Sequence, residues 1–236
     1  MENSKIQWGM VIDLDLCIGC QACTVACKQE NNISFVPHKQ AKMGRTIQWN
    51  QLIPTVVKES HHTKVRYLPR LCNHCEKPAC IKVCPVSATY KNPEGLVGQI
   101  YSRCIGCRYC TVACPYTARY FNWYKPEWPE EMKRSLNPEV SIRIRGVVEK
   151  CTFCFHRIRA AKDRAKDEER ELRDGDIIPA CVETCPTKAR VFGNLADPKS
   201  KVAIFSRSPR AFKLEEHLGT EPKVIYLTER TWDESV

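Results

Sequence analysis

Short runs of apolar and β-branched residues recur along the chain, and each ends just before a cysteine-rich stretch. They occupy residues 9–13 (GMVID), 64–68 (KVRYL), 96–101 (LVGQIY) and 146–149 (GVVE). Residues of these types favour extended strands. The pattern therefore predicts that a β-strand delivers the chain into each of four loops, followed by a short helix and a further strand.

Five further elements are predicted between and after these loops. Residues 46–52 favour a strand, and residues 88–98 favour a hairpin with its turn at 92–95. Charge dominates residues 155–174, where opposite charges lie four apart, as in Arg164 with Glu168, which indicates a solvated helix running into a loop. Residues 208–218 suggest an amphipathic helix, and residues 223–227 a closing strand.

The 16 cysteines fall into four blocks of related spacing and leave none over. The first and third blocks read C-x2-C-x2-C-x3-C, the second reads C-x2-C-x4-C-x3-C, and the charged stretch splits the fourth. In chain order the blocks are Cys17, Cys20, Cys23 and Cys27; Cys72, Cys75, Cys80 and Cys84; Cys104, Cys107, Cys110 and Cys114; Cys151, Cys154, Cys181 and Cys185. A proline follows the last cysteine of every block but the first, at Pro85, Pro115 and Pro186, where it suits the first turn of a helix.

This spacing favours iron–sulfur clusters over the other uses of cysteine. Disulfides have no reason to repeat a ligand spacing four times. Zinc ribbons use two well-separated C-x2-C pairs, whereas a compact run of four thiols wraps an iron–sulfur cube better than a single ion. We therefore expect four [4Fe–4S] clusters, with a zinc-stabilised scaffold as the alternative. His74, between Cys72 and Cys75, is a candidate hydrogen-bond donor to sulfur rather than a ligand.

The formal net charge of +10 would normally suggest nucleic acid or an anionic membrane as partner. Four clusters, each with a charge of about −2, would lower the net charge of the loaded chain to about +2. We therefore predict no nucleic-acid partner. No run approaches the roughly 20 apolar residues of a membrane span. The first five residues also lack the features of a signal peptide. Membrane attachment and any export are therefore expected to depend on a partner.

The blocks resemble those of bacterial-type ferredoxins, in which three cysteines of a run bind one cluster and the fourth binds the neighbouring one. The resemblance implies an α+β fold in which a 2[4Fe–4S] ferredoxin-like unit is duplicated, with loop insertions. Unit A would comprise residues 6–60 and 145–195 and unit B residues 64–125, with a C-terminal helix and strand extension at 196–236 in the single body 1–236. The implied ligand sets are set 1, Cys17, Cys20, Cys23 and Cys185; set 2, Cys151, Cys154, Cys181 and Cys27; set 3, Cys72, Cys75, Cys80 and Cys114; set 4, Cys104, Cys107, Cys110 and Cys84.

Three runs carry a closer resemblance: residues 9–23 (GMVIDLDLCIGCQAC), 71–80 (LCNHCEKPAC) and 146–158 (GVVEKCTFCFHRI). They resemble the four-cluster iron–sulfur subunit of the complex iron–sulfur molybdoenzymes, a family that includes polysulfide reductase. Residues 8–10 (WGM) and 145–148 (RGVV) are most similar to the branch found in menaquinone reductase complexes and alternative complex III. The resemblance spans about residues 6–228.

The resemblance implies a subunit that moves electrons and has no substrate site of its own. Its partners would be a large molybdopterin-type catalytic subunit beside set 1 and a polytopic quinone-binding membrane subunit beside set 4. The expected location is peripheral on the membrane, on the periplasmic side if the chain is exported with a signal-bearing partner. A soluble polyferredoxin that shuttles electrons between separate enzymes is the alternative. The aromatic segment, residues 116–128, is expected beside unit B, as cover for a cluster or as a docking surface.

Overall fold

The computed structural model describes residues 6–59 and 62–228. Its largest sheet has four strands in the order β8-β1-β10-β9. These are β1 (Trp8–Asp13), β8 (Arg190–Asn194), β9 (Ala211–Phe212) and β10 (Val224–Leu227). β1 pairs antiparallel with β8, Trp8 opposite Asn194, and parallel with β10, Met10 opposite Val224.

Both faces of this sheet are buried, which explains why its central strands are almost wholly apolar. On one face Met10, Ile12 and Tyr226 join the main core. On the other face Val11 and Ile225 pack in a smaller cluster with other apolar side chains. The alternation along β1 follows from the two-residue period of a strand.

Three two-stranded sheets complete the β-structure of the described residues. Their strands are β2 (Asn50–Glu59) with β3 (His62–Leu71), β4 (Thr89–Lys91) with β5 (Val97–Gln99), and β6 (Tyr120–Phe121) with β7 (Val148–Glu149). In the last pair Phe121 lies opposite Val148, which joins the chain after the third cysteine block to the chain before the fourth.

The helices are mostly single turns placed within or beside the cysteine blocks. They are α1 (Ala22–Glu30), α2 (His38–Lys42), α3 (Ala79–Lys82), α4 (Tyr109–Val112), α5 (Glu130–Lys133), α6 (Phe155–Asp167), α7 (Ala180–Glu183) and α8 (Lys201–Ser206). Among the described helices, only α6 is long enough to show a clear apolar face, where Ile158, Ala161 and Ala165 are buried. None of the described helices has the length and apolar character of a bilayer span.

The structure confirms the α+β class, the hairpin at 88–98, the charged helix and the closing strand, and it corrects three local predictions. The strand expected at 46–52 begins later, at Asn50. The helix expected at 208–218 is absent: α8 ends at Ser206, and Pro209, which cannot continue a helix, precedes the short strand β9. This strand pairs with the edge of β10, so a β-strand takes the place of the amphipathic helix.

The third correction concerns the prolines after the blocks. Pro85, Pro115 and Pro186 begin turns, and the short helices α3, α4 and α7 lie before the last cysteine instead. In each turn a backbone N–H donates to the carbonyl of that cysteine at 3.2–3.3 Å, from Ser87, Thr117 and Lys188 respectively. All three donors have positive φ, which turns the chain away from a helix.

Residues 220–223 lie across the second cysteine block, and residues 224–227 then form strand β10 of the main sheet. Lys223 donates its backbone N–H to the Asn73 carbonyl, and Glu76 donates its N–H to the Glu221 carbonyl. β10 then pairs with β1, which leads into the first block. Residues 220–227 therefore connect the parts of the chain that we assign to units A and B, and the unit boundaries stay a prediction.

Candidate metal centres

The first and third cysteine loops have the same backbone shape. Gly19 and Gly106 have φ of 73° and 72°, and Gln21 and Arg108 both have φ of 62°. A Cβ at Gly106 would lie 2.2 Å from the carbonyl oxygen of Gly146, and one at Gly19 would lie 2.5 Å from the ring of Tyr67. Each C-I-G-C run therefore has no room for a Cβ at its glycine.

The thiols of set 2 come together although Cys27 belongs to another block. Burial raises the pKa of Cys27 well above its ordinary range, and the neighbouring thiols Cys151, Cys154 and Cys181 raise it further. Asn31 links the two blocks directly, because its Nδ2 lies 3.8 Å from Cys27 Sγ and 3.9 Å from Cys154 Sγ. This contact fits the exchange of a fourth cysteine between blocks.

Set 1 lines a single small cavity. Cys17, Cys20 and Cys23 of the first block face Cys185 of the fourth block across it. Burial raises the pKa of Cys17, while the Gly19 backbone N–H and Arg190 lower it. Cys185 of the fourth block therefore lies with thiols of the first block, and Cys27 of the first block lies with thiols of the fourth.

The thiols of set 3 lie closer together than those of set 4. Burial raises the pKa of Cys75 to about 12, and Cys72, Cys114 and Cys80 raise it too, so all four thiols of set 3 lie together. In set 4, burial raises the pKa of Cys110, and the neighbouring thiol of Cys104 raises it further. Cys84 accepts hydrogen bonds from nearby backbone N–H groups and Cys107 is exposed, so their membership of set 4 rests on the repeat.

The four sets follow one another in a series. Besides burial, a thiol of the neighbouring set helps to raise the pKa of one cysteine at each step. Cys23 of set 1 does so for Cys181 of set 2, and Cys72 of set 3 for Cys151 of set 2. Cys80 of set 3 does so for Cys110 of set 4. This gives the order 1, 2, 3, 4. Thiols of neighbouring sets lie near enough to interact electrostatically, which suits one-electron carriers placed in a row.

Exposure differs between the two ends and the middle of the series. All four thiols of set 2 are buried, whereas Cys20 and Cys107 are exposed. Exposed apolar side chains lie close in sequence to both exposed thiols: Leu16, Ile18 and Val25 near Cys20, and Ile105, Tyr109 and Val112 near Cys107. Exposed apolar groups around a reactive centre are typical of docking faces.

The donor set fits iron–sulfur clusters. Within the described part of the chain, no three Cys, His, Asp or Glu side chains converge as closely as one metal ion requires. Sulfurs on one tetrahedral zinc lie about 3.8 Å apart, whereas each thiolate of a cubane binds its own iron. Backbone N–H groups also point at sulfur, from Val148 to Cys104 at 3.5 Å and from Phe153 to Cys151 at 3.4 Å.

His74 has a different role from the one the sequence suggested. Its Nδ1 accepts the Val97 N–H at 3.0 Å, so Nε2 carries the proton and donates to the Cys151 carbonyl at 3.1 Å. Burial lowers its pKa well below the usual value. The neutral ring stacks on Phe153 at 4.0 Å between sets 2 and 3, where it bonds backbone instead of sulfur.

The aromatic residues 116–128 do not all lie beside the same cysteine block. Trp123 contacts Phe121 and lies under the guanidinium of Arg108, in the third cysteine loop. Trp128, in contrast, shares an apolar groove with Val25 and Phe35 beside the first block. The expectation that the whole segment lies beside unit B was therefore wrong for Trp128.

Sequence reasoning missed two buried arginines, Arg119 and Arg190. Each stands five residues after the last cysteine of its block, in the runs CPYTAR and CPTKAR. The repeated arginine was a usable signal, but without the fold it looked like part of the basic excess.

Comparison with known proteins gives the same assignment throughout the chain. Residues 63–130 match one family described as a 4Fe-4S dicluster domain, and residues 16–88 and 103–189 match a second family with that description. The chain is 52% identical, over 97% of its length and 91% of the relative's, to the menaquinone reductase iron-sulfur cluster-binding subunit of Nitratidesulfovibrio vulgaris. It is 38% identical, over 95% and 84%, to the Hdr-like menaquinol oxidoreductase iron-sulfur subunit 1 of Archaeoglobus fulgidus, and 35% identical, over 93% and 95%, to the arsenate respiratory reductase iron-sulfur subunit of a Shewanella species.

Proposed function

The chain belongs to the iron–sulfur subunits of the complex iron–sulfur molybdoenzyme family, and on that premise we propose that it relays electrons between a large catalytic subunit and a quinone-binding membrane subunit. It is an electron-transfer subunit with four [4Fe–4S] clusters, which supply one-electron carriers when bound. The observation that carries the proposal is the series of four thiol sets with its only exposed thiols, among the described residues, at the first and last sets.

The polypeptide has three tasks in this role. Its sixteen thiols hold the clusters in the four sets given above, and the fourth cysteine of each block crosses to the neighbouring set. Its core excludes water from the middle of the series, where Phe153 and His74 are almost completely buried. Its apolar faces at Cys20 and Cys107 bind the partners, so that water is also displaced from the two terminal sets.

The polarity of the relay follows the family. We assign the face around Cys20 to the large, molybdopterin-type subunit and the face around Cys107 to the polytopic membrane subunit. The chain would then be peripheral on the membrane, held there by its partner. Export together with a signal-bearing partner would place it on the periplasmic side.

Val25 and Val112 offer a matched test, because they occupy equivalent positions in the first and third blocks. Their exposed fractions are 64% and 81%, so a glutamate there should not disturb the fold. We expect Val112→Glu to release the membrane subunit from the purified complex and to lower quinone-linked turnover at least about tenfold, or about 1.4 kcal/mol. Activity with a soluble dye at the large subunit should survive.

Val25→Glu should have the opposite effect, releasing the large subunit and sparing the membrane subunit. Ile204→Glu, exposed on α8, is the control and should leave both partners bound. Release of the large subunit by Val112→Glu would reverse the polarity. If both variants left an intact and fully active complex, these faces would not be the docking sites, and a soluble shuttle would become the better account.

A further inference from the structure

Arg119 and Arg190 occupy the same position in two related halves of the protein. Each follows the run C-P-x-x-A and lies just after the turn that closes its block. Both are almost completely buried, with 5% and 4% of their surface exposed. A buried guanidinium stays charged and is costly unless an anion and hydrogen-bond acceptors surround it.

Arg190 lies between sets 1 and 2. Its Nη2 lies 3.4 Å from Cys23 Sγ, in set 1, and donates to Asn50 Oδ1 at 2.9 Å. The same guanidinium lies near enough to Cys181, in set 2, to interact electrostatically with its thiol. One positive charge is therefore shared by thiols of two different sets.

Arg119 lies in the same way between sets 3 and 4. Its guanidinium lies near enough to Cys80, in set 3, and Cys110, in set 4, to interact electrostatically with both thiols. Its Nη1 donates to Thr89 Oγ1 and Gln99 Oε1, both at 3.2 Å. Its Nη2 is buried and has no hydrogen-bond partner among the described residues.

The arginines bridge the third cysteines of the four blocks: Cys23 and Cys181 for Arg190, Cys80 and Cys110 for Arg119. Buried Arg143 differs, because it is neutralised by Glu149 at 3.0 Å. Arg119 and Arg190 find their negative charge on the thiol sets instead.

We propose that Arg119 and Arg190 are the internal counter-charges of the two cluster pairs and that each sets the reduction potentials of both clusters that it bridges. The inference rests on the four clusters of the proposed function. An electron added beside a fixed positive charge is stabilised by Coulomb attraction, which a buried site screens weakly. Each arginine should therefore favour the reduced state of its own pair.

The test replaces each arginine and measures all four midpoint potentials by electron paramagnetic resonance during a redox titration of the intact complex. Arg119→Gln should lower the potentials of the set 3 and set 4 clusters, with a fall of at least about tenfold in each reduction equilibrium, or about 59 mV for one electron. The set 1 and set 2 clusters should change much less. Arg190→Gln should give the reciprocal result.

Two further variants separate charge from architecture. Arg119→Lys keeps the charge and should keep the potentials near those of the parent chain. Arg159→Gln removes one positive charge from the surface, where the side chain is 77% exposed, and should shift no potential appreciably. Iron content, measured on every variant, reports separately whether the clusters are present.

Three results would overturn the proposal: equal shifts of all four potentials in Arg119→Gln, no shift with iron content intact, or the same shift in Arg119→Lys. If Arg119→Gln fails to retain iron, the lysine variant decides. Four clusters at parent potentials in Arg119→Lys would support a requirement for charge, and loss of iron there as well would assign the arginine a purely structural role. Absence of four clusters in the parent chain would instead contradict the proposed function.

Discussion

At the scale of single residues, the cluster loops depend on a missing side chain as much as on the cysteines. Gly106 lets the third loop approach the carbonyl of Gly146, just before β7, whose Val148 N–H points at Cys104 Sγ. Positive φ alone does not require glycine here, because Arg108 has φ of 62° in the same loop. The close approach is therefore the stricter condition.

Gly106→Ala should destabilise the third loop and lower the iron content by the equivalent of one cluster, because the new methyl group would overlap a carbonyl oxygen. We expect a loss of about 1–3 kcal/mol in unfolding free energy, from strain at positive φ and the displaced backbone. Gly175→Ala is the control, since Gly175 also has positive φ but nothing within 4 Å of the new Cβ. Equal iron content and thermal stability in the two variants would contradict the close-approach argument.

The repeated spacing predicted which cysteines bind the clusters, because metal ligation fixes their separation along the chain, and the ligand sets stay a prediction. Asn31, Arg119 and Arg190 could not be assigned in the same way, since their roles depend on which blocks meet in space. His74 was singled out as a candidate hydrogen-bond donor to sulfur, but its two nitrogens bond backbone groups of Val97 and Cys151, which are distant in sequence.

At the scale of secondary-structure elements, one arginine ties the first block to the fourth. Arg157, on α6, donates to both carboxylate oxygens of Glu30 on α1, at 2.5 Å and 2.8 Å, and to Glu183 on α7 at 2.6 Å. The Glu30 carboxylate raises the pKa of Arg157, and Arg157 lowers the pKa of Glu30 in return. This network closes α1, α6 and α7 around the thiols of set 2.

Arg157→Met should lower the unfolding free energy by about 1.5–3 kcal/mol, because a partly buried bidentate pair is lost. The clusters of sets 1 and 2 should be lost at a lower temperature than those of sets 3 and 4, as followed by visible absorbance and magnetic resonance. Arg159→Met removes an exposed pair at 4.0 Å and should cost less than about 0.5 kcal/mol. Equal effects of the two changes would show that the network does not hold the blocks together.

Elements were predictable where a local pattern was strong. The hairpin at 88–98 and the helix α6 carry turn residues and charge pairs within one short window. The helices that contain the third cysteine of the last three blocks are only one turn long, too short for a periodic pattern, so the prolines after them were misinterpreted. The pairing of β1 with β10 joins the two ends of the chain, and no local signal identifies such a partner.

At the scale of the whole molecule, the fold converts a repeat in sequence into a series in space. Thiols of blocks one and four lie near enough to interact electrostatically, as do thiols of blocks two and three, and Cys72 interacts with Cys151 between the two pairs. Basic side chains inside the protein, including Lys150 and Arg190, accompany this concentration of thiolates. Much of the formal charge of +10 can thus be understood as compensation for the clusters, and the exposed ends remain apolar.

The central claim is that four clusters lie in the order of sets 1 to 4, each completed by a cysteine from another block. An anomalous difference map at the iron edge, from crystals of the loaded chain in its complex, tests this most directly. We predict four separate iron peaks in a row, with the first bonded to Cys20, the second to Cys27 and the last to Cys107. A map in which Cys27 binds the same peak as Cys17, or in which the peak beside Cys20 adjoins the peak beside Cys107, would contradict the account.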